Sequence, residues 1–217
     1  MANHKRPLVG VSVLLAGAVF APLLMRNYGI SVPFELTETA SAAEEVARKP
    51  DTSKPLVEFT PEGKVKQPIG YRQWVSLGSV VTPNDMNDGE ASFPEFHNVY
   101  MDPESFAFAE KHGKYRDGTV IVKELLSVGS KVQSSGNGYF QGEFTGLEMS
   151  IKDSKRFPDE PGNWAYFSFG HKYPLKAETT PNATASCNDC HEKNATNFVF
   201  SGVYPVLNDV LKHPKDR

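Results

Sequence analysis

Thr119-Val120-Ile121-Val122-Lys123-Glu124-Leu125-Leu126-Ser127-Val128 is the stretch that decides the fold. It is rich in β-branched and aliphatic residues and follows the turn signal Arg116-Asp117-Gly118, so it reads as a strand. Strand alternation puts Thr119, Ile121, Lys123 and Leu125 on one face. Downstream, residues 129–138 are polar and glycine-bearing, and residues 139–151 resume an extended pattern, which predicts an antiparallel pair closed by a loop. Residues 163–169, with Trp164, Tyr166 and Phe167, are a further strand candidate. Upstream, residues 93–101 look extended and end at Asp102-Pro103, an N-cap followed by proline at the first helical position. A helix over 103–112 should follow and stop at Gly113. At the C-terminal end, Val203, Leu207, Val210 and Leu211 recur at helical spacing, with Pro205 starting or interrupting the run. The expected class is α+β, a β-rich antiparallel sheet with flanking helices.

The 217 residues suit one compact domain with an N-terminal extension. Lys5 and Arg6 precede an uncharged apolar run, Leu8 to Met25, which Arg26 closes. Such a run is an export or anchoring segment, residues 1–30 in all, with the basic end on the cytoplasmic side. Pro22 argues against cleavage after Ala21, and the small-residue site Ala40-Ser41-Ala42 lies far downstream. The reading is therefore an uncleaved membrane anchor through residues 8–25, with a cleaved signal peptide as the alternative. Residues 31–68 are rich in Glu, Lys, Thr, Ala and Pro and read as a solvated linker. The folded domain is expected over residues 69–217. The net charge is −3, and the first 26 residues carry three basic side chains and no acid, which leaves −6 for the rest. No basic face for nucleic acid is indicated.

The two cysteines stand in Cys187-Asn188-Asp189-Cys190-His191. Two thiols at this spacing can add to the vinyl groups of one haem, and the covalent grip places the next side chain beneath the iron. Cys187 and Cys190 are thus candidate tethers of a haem c, one per chain, and His191 the iron ligand. A zinc half-site would need further ligands at a matching knuckle. A redox CxxC would belong near the start of a βαβ unit, whereas this pair is near the end of the chain. No methionine follows the motif, and His213 sits at a terminus prone to fraying. These features favour an open sixth iron position, although an upstream Met or His folding back remains an alternative.

Several further stretches together resemble the cytochrome P-460 family: Tyr71-Arg72-Gln73-Trp74-Val75, Val81-Thr82-Pro83-Asn84, Arg116-Asp117-Gly118-Thr119-Val120, Gly136-Asn137-Gly138-Tyr139-Phe140, Gly146-Leu147-Glu148, Lys152-Asp153-Ser154, Glu160-Pro161-Gly162-Asn163-Trp164-Ala165, and Tyr204-Pro205-Val206-Leu207. The resemblance spans roughly residues 69–211 and is more specific than the haem motif alone. It implies an exported, β-rich mono-haem protein of the bacterial periplasm, homodimeric, that oxidises hydroxylamine to nitrous oxide or nitric oxide. It further implies a soluble cytochrome as electron acceptor. Lys123 falls on the lysine that the family bonds to the haem edge, a bond that needs an amine able to lose its proton. Glu148 falls on a distal carboxylate that accepts protons. His97 stands where an arginine is expected, exchanging a permanent charge for a group that titrates near neutrality. The phenylalanines at 93, 96, 106, 108, 140 and 144 are mostly core, with one or two expected at the distal face. The alternatives are a nitric oxide-binding protein of the cytochrome c-prime-beta kind and a plain electron-transfer cytochrome.

Overall fold

The computed structural model describes residues 56–215. The export or anchor segment falls outside these residues, and no helix among them is long and apolar enough to cross a membrane. In chain order they form β1 (Val65–Lys66), β2 (Val75–Val81), β3 (Glu95–Met101), α1 (Pro103–His112), β4 (Val120–Val128), β5 (Val132–Gln133), β6 (Gly136–Asn137), β7 (Gln141–Lys152), β8 (Trp164–Gly170), β9 (Glu178–Thr179), α2 (Asn188–Asn194) and α3 (Pro205–Lys212). Five strands make one antiparallel sheet in the order β2-β3-β4-β7-β8, so the fold is α+β with β4 at the centre.

A central strand covered on both faces is largely apolar on both, and β4 is so apart from Lys123, Glu124 and Ser127. Val120 and Val122 point into a core with Met149, Ile151, Ala165 and Phe167. Ile121 points into a second core with Val99, Met101, Trp164, Tyr166, Tyr204 and Leu207. Cys187 and Phe198 pack against this second cluster, so the haem-motif segment and α3 cover that face. The motif helix is tied down by Asn188, 1 % exposed, whose Nδ2 donates to the Trp164 carbonyl at 2.7 Å.

α1 occupies the expected residues. Asp102 caps it by accepting from the Ser105 amide at 2.8 Å, and its other oxygen accepts from the Val120 amide at 2.9 Å. One buried carboxylate therefore joins helix to central strand. Gly113, at φ 65°, ends the helix in the left-handed conformation that glycine adopts without strain.

Three features differ from the sequence reading. The chain enters the fold before Ile69: Val57 and Phe59 pack on the first core, Val65 is fully buried, and β1 pairs with β9. These apolar residues are spaced widely among polar ones, which disguised the last part of the supposed linker. The edge strand β2 was not foreseen, because Gly78, at φ 136°, and the bulge beside it interrupt its alternation. α2 was also unforeseen; with few apolar residues, it lacks a periodic stripe.

Candidate functional site

His191 lies on α2 with its ring against Tyr166 (centroids 4.2 Å apart) and Phe200 (4.8 Å). Its Nδ1 is 2.8 Å from the Phe198 carbonyl, which also accepts from the Tyr166 hydroxyl at 2.8 Å. A carbonyl only accepts, so Nδ1 must carry the proton, and Nε2 is left with a free lone pair. Burial pushes the imidazole pKa down and keeps the ring neutral. These are the requirements of a metal-binding histidine whose orientation is fixed from behind. Burial likewise pushes the Tyr166 phenol up, so it stays a donor.

Neither Cys187 nor Cys190 is in a disulfide; Cys190 is exposed and Cys187 half-buried. Asn182 Nδ2 approaches Cys187 Sγ at 3.4 Å, and Asn194 Nδ2 donates to the Cys190 carbonyl at 2.9 Å. Among the described residues no three His, Cys, Asp or Glu side chains gather into a metal site, so the zinc reading finds no additional ligands.

On the same sheet face as Ile121, the register pairs Lys123 with Glu148 on β7 and with Val99 on β3, while His97 pairs with Leu125. The structure thus brings together Lys123, Glu148 and His97, which are separated in sequence. Lys123 Nζ is 2.5 Å from Glu148 Oε2, with both side chains about a quarter exposed. The ammonium and the carboxylate both lie near enough to His191 to act on its protonation, in opposite senses. His97 Nε2 is buried without a hydrogen-bond partner, 3.4 Å from Glu95 Oε1 but poorly aligned with it. The imidazole beside it nevertheless holds the Glu95 carboxyl below the usual carboxylate range. Phe93 reaches this cluster, its ring 5.7 Å from Lys123 Nζ and 6.1 Å from the His97 ring.

The methionines are placed elsewhere. Met149 is buried in the core on the opposite sheet face, Met101 is fully buried, and Met86 is exposed in the turn after β2.

The family model for Cytochrome P460 matches residues 68–201. The chain belongs to the cytochrome P460 family. No curated protein matches the chain. Family membership implies a haem, and the residues present fit one: a half-buried neutral imidazole with Nε2 uncommitted, and two free thiols in the same short segment.

Sequence reasoning missed three contributors to this site. The Phe198 carbonyl is backbone and carries no residue signal. Asn188 lies inside the haem motif, at a position where any residue type is allowed. His171 follows β8, and its Nε2 sits 3.3 Å from Glu148 Oε1. Only Gly146 and Gly170 hinted at a special geometry there.

Proposed function

We propose that this chain is an exported haem c cytochrome that oxidises hydroxylamine, to nitrous oxide or nitric oxide. One observation carries the reading: Lys123 and Glu148 form a 2.5 Å pair on the sheet face that the His191 segment covers. Cys187 and Cys190 would tether one haem c, and His191 Nε2 would hold its iron. When bound, the haem supplies an iron that binds the substrate nitrogen and takes up its electrons.

The protein's own groups handle position and protons. The Phe198 carbonyl fixes the His191 ring. Lys123 would present its amine to the ring edge, as the family likeness implies, with Glu148 the carboxylate beside it. Oxidising hydroxylamine to nitric oxide releases three protons with three electrons, so a base within reach of the substrate nitrogen is required, and Glu148 supplies it. His97 sits at the rim beside Glu95, and the Phe93 ring lies near both Lys123 and His97. The electrons leave to a soluble cytochrome in the bacterial periplasm, and the working form is a homodimer.

The test is anaerobic mixing of ferric holoprotein with hydroxylamine and a one-electron acceptor. Repeated reduction of the acceptor, with many turnovers per haem, is expected. No turnover would overturn the reading in favour of a nitric oxide-binding protein.

A further inference from the structure

We infer that His171 is the proton exit of the site: it takes from Glu148 the proton that Glu148 takes from substrate and hands it to solvent. The inference rests on the hydroxylamine reading for its purpose, though its geometry stands alone.

Both oxygens of Glu148 have a partner. Oε2 meets Lys123 at 2.5 Å, and Oε1 meets His171 Nε2 at 3.3 Å. The His171 side chain is 54 % exposed, against 25 % for Glu148. A carboxylate so placed bridges the half-buried Lys123 nitrogen to a solvent-facing imidazole.

The backbone is shaped to bring His171 there. Between β7 and β8 the register slips, so that Leu147 faces Gly170 but Glu148 faces Ser168, leaving Phe169 as an extra residue. Bulges of this kind re-aim side chains beside active sites. Gly170 then turns the chain at φ 117°, a conformation open to glycine. Gly146 completes the cradle. A Cβ there would stand 2.6 Å from the Gly170 carbonyl oxygen and 3.1 Å from the His171 Cα. Only a residue without a side chain lets the His171 backbone come so close to the strand that bears Glu148.

The chemistry requires such a relay. Each hydroxylamine gives up more protons than one carboxylate can hold, so Glu148 must be emptied between steps. The other charged groups around it serve poorly. Lys123, its nitrogen taken up in the bond to the haem edge, is no proton carrier, and Glu95, on β3, is engaged with His97. Glu95 also lies near enough to His171 to feel its charge, but His97 is its main partner. Histidine titrates near neutrality and exchanges readily with water. The step balances simply: the O–H of protonated Glu148 breaks, an N–H forms at His171 Nε2, and the imidazolium returns its proton to bulk.

The experiment uses ferric holoprotein with hydroxylamine and a one-electron acceptor, comparing wild type, His171→Gln and His171→Ala. A loss of about tenfold in kcat is expected in both variants, modest beside the full range for proton transfer. KM should change little, and imidazole buffer should rescue His171→Ala. Wild-type kinetics in both variants, with no response to imidazole, would overturn the relay. A readout free of turnover is the imidazole ¹⁵N spectrum, in which the His171 signals should change when Glu148→Gln is introduced. Unchanged signals would overturn the contact itself. A wild type that never consumes hydroxylamine, with His171 still responding to Glu148→Gln, would instead refute the functional reading.

Discussion

Gly162→Ala should disturb the iron ligand from a distance. Gly162 has φ 61°, and a Cβ built on it overlaps the Phe198 ring at Cδ2 and Cε2. The left-handed conformation costs an L residue about 1–2 kcal/mol. Overpacking against a ring adds about 1–3 kcal/mol. Together these give a destabilisation of about 2–5 kcal/mol, a fall in Tm of roughly 5–15 °C for a domain of this size. The functional consequence is more specific than the loss of stability. Phe198 carries the carbonyl that accepts from both His191 Nδ1 and the Tyr166 hydroxyl, so displacing its ring loosens the imidazole. Thermal melting and electron paramagnetic resonance of the ferric holoprotein measure the two effects. Gly202→Ala is the control: nothing lies within 4 Å of the Cβ it would add, so its effect should stay within about 0.5 kcal/mol. A Gly162→Ala protein that melts and resonates like wild type would refute the coupling.

Asn188→Ala removes the buried hydrogen bond to the Trp164 carbonyl and should cost about 1–3 kcal/mol in chemical denaturation, with weaker retention of the motif helix against β8. Glu148→Gln removes the proton acceptor and should lower kcat about a hundredfold with little change in KM for hydroxylamine, read by steady-state kinetics. Stability should also fall at high pH. Burial raises the phenol pKa of Tyr71, Tyr115 and Tyr166, and that of Tyr204 to about 12. The folded state therefore holds these protons more tightly than the unfolded chain. Their contribution is complete below the ordinary phenol value of about 10 and is lost as the pH rises from there through the folded values. Denaturant midpoints across this range, with absorbance at 295 nm, check the sign, and Tyr204→Phe should flatten the slope.

The core of the fold was legible because its elements are locally consistent. α1 begins at Asp102-Pro103 and ends at Gly113, and β4 is mostly apolar on both faces, so propensity, capping and burial agree. β2 and α2 were not legible, since one is an edge strand broken at Gly78 and the other is a polar helix held by its neighbours. The haem motif announced Cys187, Cys190 and His191 by spacing alone. The pairing of Lys123 with Glu148 depends on the register of β4 with β7, which two bulges shift further along and which the residues themselves do not reveal. The resemblance supplied the two residues, and the structure their pairing. His171 was hidden for a sharper reason: its place depends on an extra residue in β8 and on an absent side chain at Gly146, both properties of backbone rather than of residue type.

Mass analysis of the haem-bearing peptides from proteolysed holoprotein tests most directly whether one haem joins the two sides of the site. The account expects a single haem carrying both the Cys187-Cys190 peptide and the peptide that contains Lys123. A haem peptide with the two cysteines and an unmodified Lys123 would contradict it.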